Sequence, residues 1–269
     1  MDVRSTTVVL RERDLSDVVD LAVRFVGVHA RAFGWLALVF VLPAWGVSVL
    51  VAQRLEPWAA WPVALALGAL CELPFVALAS RLVFDRSTTA RSAVLVAWSA
   101  APRVLATRLL QGIVVGAAAL FFLVPALWAA AAFGFAPEVS LLERASPGAA
   151  LGRAQRLSQR HLGDAALARG AAAVALVAAA VLGDVAGRSV LESVLEITAP
   201  APIWDEGVSA LGLAGFFVAV PLLAVVRFFS YLNVRTLVEG WDVQARFTGL
   251  AARLAAEDEP APLSSRRAA

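Results

Sequence analysis

Four stretches of this chain carry no charged residue at all: 32–52, 109–137, 170–183 and 207–226. A fifth, 57–80, holds a single charge, Glu72. A helix that is apolar on every face must be buried on every face, in a large core or in lipid. A chain of 269 residues cannot bury five such segments in one soluble core. Charged residues make up only 16% of it, against about 25% in a soluble domain. The expected fold is therefore all-α, a polytopic transmembrane bundle. Helices are the spanning form because lipid offers no partner to backbone N–H and C=O groups. The runs also lack the strict alternation of a barrel strand.

Charge between the runs sets their number. Every one of the 23 basic residues is arginine. Arg81, Arg86, Arg91, Arg103 and Arg108 precede the longest run, and Arg144, Arg153, Arg156, Arg160 and Arg169 follow it. Arginine-rich loops stay cytoplasmic, so the run must enter and return. A hairpin near Pro125 is expected, since proline lacks the N–H that continues a helix; one kinked crossing is the alternative. The scheme is six crossings near 33–52, 58–80, 109–124, 126–142, 165–184 and 207–227, with both termini cytoplasmic. The expected setting is a bacterial inner membrane. Only Arg54 and Arg188 then fall outside. Trp58, Trp61, Trp128 and Trp204 sit near the outer boundary and Trp35, Trp98 and Trp241 near the inner one, as interfacial tryptophans do.

Amphipathic pieces lie between the crossings. Residues 14–31 repeat Leu15, Val18, Ala22 and Val26 at helical spacing and predict a helix on the inner membrane surface. A second piece spans 90–100 and stops before Pro102. A third begins at Ser146-Pro147, a capping residue followed by a first-turn proline. A cytoplasmic helix is expected over 241–255, with Val243, Phe247, Leu250 and Leu254 in one stripe, and a disordered tail over 257–269. Residues 1–256 form one integral membrane domain in this scheme. The first run is read as a retained crossing rather than a cleaved signal.

Two segments are familiar as a pair. One runs Leu142-Glu143-Arg144-Ala145-Ser146-Pro147, then Ala150-Leu151-Gly152-Arg153 and Leu157. The other runs Tyr231-Leu232-Asn233-Val234-Arg235, then Glu239-Gly240-Trp241-Asp242. Together with the stretch from Leu10-Arg11 to Asp20, they resemble a bacterial family of six-helix membrane proteins. That family includes the membrane domain attached to some glycerophosphoryl diester phosphodiesterases. The chain has Ala154 where the family often has serine, and Asn233 where it often has aspartate. The resemblance implies architecture and carries no phosphodiesterase chemistry.

Glu72, two residues before Pro74, is the sharpest site candidate. Intramembrane carboxylates are costly and face protein or water. It reads either as a proton or cation site or as a glutamate paired with an arginine or hydroxyl. Glu138 either approaches Glu72 or snorkels to the inner interface. Arg153, Arg156 and Arg160 share a helix face and are candidates for anionic-lipid contact. Gly112 and Gly116 permit close helix packing in the third crossing. The Ala/Val-rich fifth crossing reads as a central helix. His29, His161 and Cys71 have no metal-ligand spacing around them. No cofactor and no nucleic-acid partner is expected, and no catalytic motif is present. The expected role is a non-enzymatic inner-membrane scaffold or accessory subunit, bound to the bilayer and a protein partner. The alternative is a small transporter or channel using Glu72.

Overall fold

The computed structural model describes residues 13–84, 89–159 and 162–239. The expected helix over 241–255, the tail, Arg160 and His161 lie outside the described residues. Among those described, every regular element is helical. In order they are α1 (Leu15–Val28), α2 (Ala30–Leu36), a π-helical stretch (Ala37–Val41), α3 (Leu42–Arg54), a 3₁₀ turn (Pro57–Ala59) and α4 (Ala60–Phe84). Then follow α5 (Ala90–Phe121), α6 (Leu123–Ala132), α7 (Ala136–Leu142), α8 (Pro147–Ser158), α9 (Leu162–Ser193), α10 (Ile203–Glu206) and α11 (Ala210–Glu239). Six segments are long and apolar enough to cross a membrane: Ala30–Arg54, Pro57–Phe84, Ala90–Phe121, Leu123–Leu142, Leu162–Ser193 and Ala210–Val238. The chain is a polytopic membrane helical bundle.

Several boundaries differ from the sequence expectation. The hairpin turns at Phe122, where the backbone is extended, and not at Pro125. Pro125 sits in the first turn of α6, where a missing N–H breaks no helical bond. Residues 90–100 and the third crossing are one helix, α5, which runs through Pro102. Likewise α9 extends well beyond the expected 165–184; α11 continues past the crossing limit at 227 to Glu239, as the apolar residues Phe228, Phe229, Tyr231 and Leu232 after Arg227 predict. The fourth crossing is two helices, α6 and α7, jointed at Phe133–Phe135. The predicted surface helix 14–31 breaks at His29. Its apolar face, Val18, Ala22 and Phe25, is buried, and Phe25 meets Phe229 of α11 edge-on at 5.3 Å. This helix therefore docks on the bundle.

The fifth crossing is not central. In α9 only Ala165, Ala180 and Asp184 are buried, and the core is built from α4, α7 and α11. Small side chains instead give α9 one very tight seam against α11. A Cβ built on Gly183 would lie 2.5 Å from the Gly215 Cα, and one on Gly215 would strike the Ala179 carbonyl. Close backbone approach of this kind drives helix association in lipid, where the hydrophobic effect between helices is absent. Gly112 and Gly116 face open space within the chain, so they pack against no other crossing.

The connections fix which ends lie together. α11 runs back to α1, since the Asn233 side chain donates to the Arg13 carbonyl at 2.8 Å and accepts from its N–H at 3.0 Å. The loop after α7 also reaches this end, through Glu143 and Tyr231. At the opposite end Trp45 and Trp61 donate through Nε1 to the Ala210 and Gly207 carbonyls, both at 2.8 Å. Gly207 turns the chain into α11 with φ +73°.

Candidate functional site

Two acids sit inside the apolar segments nearer the end that holds α1 and α8, and both are paired. Glu72 comes from α4 and Glu138 from α7. Glu72 Oε2 accepts from Arg108 Nη2 of α5 at 2.6 Å and from Arg227 Nη1 of α11 at 2.5 Å. The other Arg227 nitrogen, Nη2, reaches Glu138 Oε1 at 2.6 Å. One guanidinium thus joins α4 to α7, and a second joins α4 to α5. Glu138 is 2% exposed, so it approaches Glu72 through Arg227 and does not snorkel.

A third arginine borders these pairs. Arg169 of α9 donates to the Gly134 carbonyl and lies over the Phe135 ring at 5.5 Å. A Cβ on Gly134 would come within 2.7 Å of the guanidinium, so the Arg169 side chain would have to shift to admit one. Arg103 Nε donates to the Ser140 carbonyl at 3.1 Å, and Thr107 Oγ1 to Ser140 Oγ at 3.1 Å. Within the network, Nε of Arg108, Nε of Arg227 and Oε2 of Glu138 are buried without a partner.

One helical turn along α11 from Arg227 stands Tyr231, and one further turn Arg235. The Tyr231 hydroxyl donates to Glu143 Oε1 at 2.6 Å, and Arg235 Nη1 lies 3.6 Å from the same oxygen. Glu143 Oε2 accepts from Arg153 Nε of α8 at 3.1 Å. The segments that carry the family resemblance therefore meet here: Glu143 and Arg153 from one, Tyr231 and Arg235 from the other. Asn233 holds the N-terminal segment through Arg13. Arg144, just after Glu143, is in the left-handed region at φ 57°. Ser146 occupies the expected cap position of α8, but its side chain makes no capping bond.

The predicted lipid-contact arginines separate. Arg153 is engaged by Glu143, while Arg156 is exposed on α8. Arg160 is not among the described residues. Sequence reasoning missed Arg108, Arg169 and Arg227 as partners because each borders an apolar run and was counted as loop charge. The available signal was the two acids inside the runs, which need cations at the same depth.

A third acid, Asp184, lies at the opposite end and is 1% exposed. It accepts from the Ser209 hydroxyl and, at 3.3 Å, from the Ile203 N–H. Ser209 Oγ in turn accepts from the Gly212 N–H at 2.8 Å, capping α11. Arg188 donates to the Pro200 carbonyl at 2.7 Å and stands 3.8 Å from Asp184. This set straps the 194–209 connection to α9. Among the described residues no group of three or more His, Cys, Asp or Glu is placed to hold a metal ion.

No family model matches the chain, and no curated protein or solved structure does.

Proposed function

We propose that this chain is a non-enzymatic scaffold or accessory subunit of a bacterial inner membrane, with both termini in the cytoplasm. One observation carries the reading. Glu72, the acid deepest in an apolar run, is closed between arginines from two other crossings. Its carboxylate serves as a tie between helices and is not left open to a cation. The second support is the hub at Glu143 and Tyr231, where the resemblance segments spend their polar groups on one another. The orientation follows from arginine, since Arg54 and Arg188 are the only described arginines at the opposite end.

Reconstitution of the full chain in liposomes tests this. Proton, sodium and potassium flux should match empty liposomes for the wild type and for Glu72→Gln alike. Cross-linking in native membranes should trap a stoichiometric partner at the arginine-rich end. A cation flux that Glu72→Gln abolishes would replace the scaffold with the second reading, a small transporter or channel. That reading draws on the Glu138 oxygen left without a partner.

A further inference from the structure

Three crossings leave a groove between them that their own side chains do not fill. It lies between the Ala30–Arg54 segment, α4 and α5, and its volume is about 340 Å³. The floor is small and buried, made by Ala44, Cys71, Pro74 and Ala97. The rim is large and exposed, with Val47 and Trp98 standing outward. The π-helical stretch supplies Val39 and Phe40 to one wall. A π turn in an α-helix frequently marks a functional site. Here α4 ties it in place, since the Cys71 thiol donates to the Phe40 carbonyl at 3.4 Å. That bond uses the one polar side chain on the floor, and no charged residue lines the groove.

We propose that this groove is the binding site for one acyl chain of a membrane lipid. Every lining residue belongs to a segment long and apolar enough to cross, so the groove opens on the bilayer interior. Water does not suit it, because a buried water needs two to four polar partners and the floor has none to spare. A void would leave the walls without dispersion contacts. The shape fits a chain. From Val39 to Val47 the wall runs about 12 Å along the helix axis. That is close to one leaflet, half of a hydrocarbon core of about 30 Å. The chain is held by packing, since lipid offers no hydrophobic drive between apolar surfaces. With no charge in the lining, the site selects a chain and not a headgroup. The inference is independent of the scaffold reading, because neither Glu72 nor its arginine partners line the groove.

The test is photo-cross-linking of the full chain in lipid nanodiscs that carry a minor fraction of phosphatidylcholine with a diazirine in one acyl chain. Adducts are mapped by mass spectrometry. Helix α9 is the internal control, because Val174 and Val177 are exposed there and report ordinary annular lipid. Adducts on 39–47 and 94–101 should exceed those on α9 several-fold. Ala101→Phe puts a ring into the groove and should bring its adducts down to the α9 level, with α9 itself unchanged. Val47→Trp closes the rim and carries the test if Ala101→Phe does not fold. A phosphatidylglycerol probe with the same chain should label the groove equally. Equal labelling of groove and α9, groove adducts that persist in both variants, or labelling by the anionic probe alone would overturn the proposal. Cross-links from the groove to a second copy in place of lipid adducts would overturn it too.

Discussion

Glu72 is tied to Arg108 and Arg227, and its removal leaves two guanidiniums facing one remaining carboxylate. Breaking a buried pair from one side costs roughly 3–5 kcal/mol, most of it the charge left unpaired. Glu72→Gln should therefore lower the detergent stability of the chain by several kcal/mol. Removing both partners in Glu72→Gln with Arg108→Met takes away one charge of each sign and leaves the net charge of the network unchanged. The double variant should be more stable than Glu72→Gln alone, with a coupling of about 0.5–3 kcal/mol in the double-mutant cycle. Strict additivity would mean that the pair at 2.6 Å has no energetic weight. Arg144 offers a change of opposite sign. A non-glycine residue in the left-handed region is strained by about 1–2 kcal/mol, and the position after a helix end suits glycine. Arg144→Gly should raise Tm, since its side chain is exposed and its backbone sits at φ 57°. At this scale the sequence marked Glu72 by its isolation in an apolar run. Its partners were hidden because they lie 36 and 155 positions away, and no local pattern links them.

Helix α9 shows how composition misleads about an element's place. A run of alanine and valine suggests packing on all sides, yet small residues permit close contact only where a partner backbone arrives. Here that happens on one seam, at Ala179 and Gly183 against Gly215. Gly183→Ala and Gly215→Ala should each destabilise the chain, because the added Cβ meets backbone that cannot swing aside. Gly112→Ala and Gly116→Ala should leave melting unchanged, because a Cβ there meets nothing within 4 Å. Equal losses at all four positions would refute the seam. The helix limits were misjudged for a related reason. Arginines were assigned to water, which cut α5 and α9 short. Ion pairs and long aliphatic stems let Arg108, Arg169 and Arg227 stay inside their helices.

For the whole molecule, arginine asymmetry led to the number of helices long and apolar enough to cross, six. It required that 109–142 enter and return, and α5 and the α6–α7 pair are two separate segments long enough to cross. What it could not supply was the lateral order of the helices, which depends on contacts between residues far apart in sequence. The pairings that bridge this run stand on the hairpin. With a single crossing over 109–142, Arg13 and Asn233 would lie at opposite ends and could not share their hydrogen bonds. The most direct test is a set of single-cysteine accessibility probes in intact and permeabilised cells, in a Cys71→Ser background. Positions 57, 122 and 203 should be labelled from outside, and positions 91, 144 and 156 only after permeabilisation. Labelling of 91 and 156 from opposite sides would leave five crossings, and would contradict both the hairpin and the network built on it.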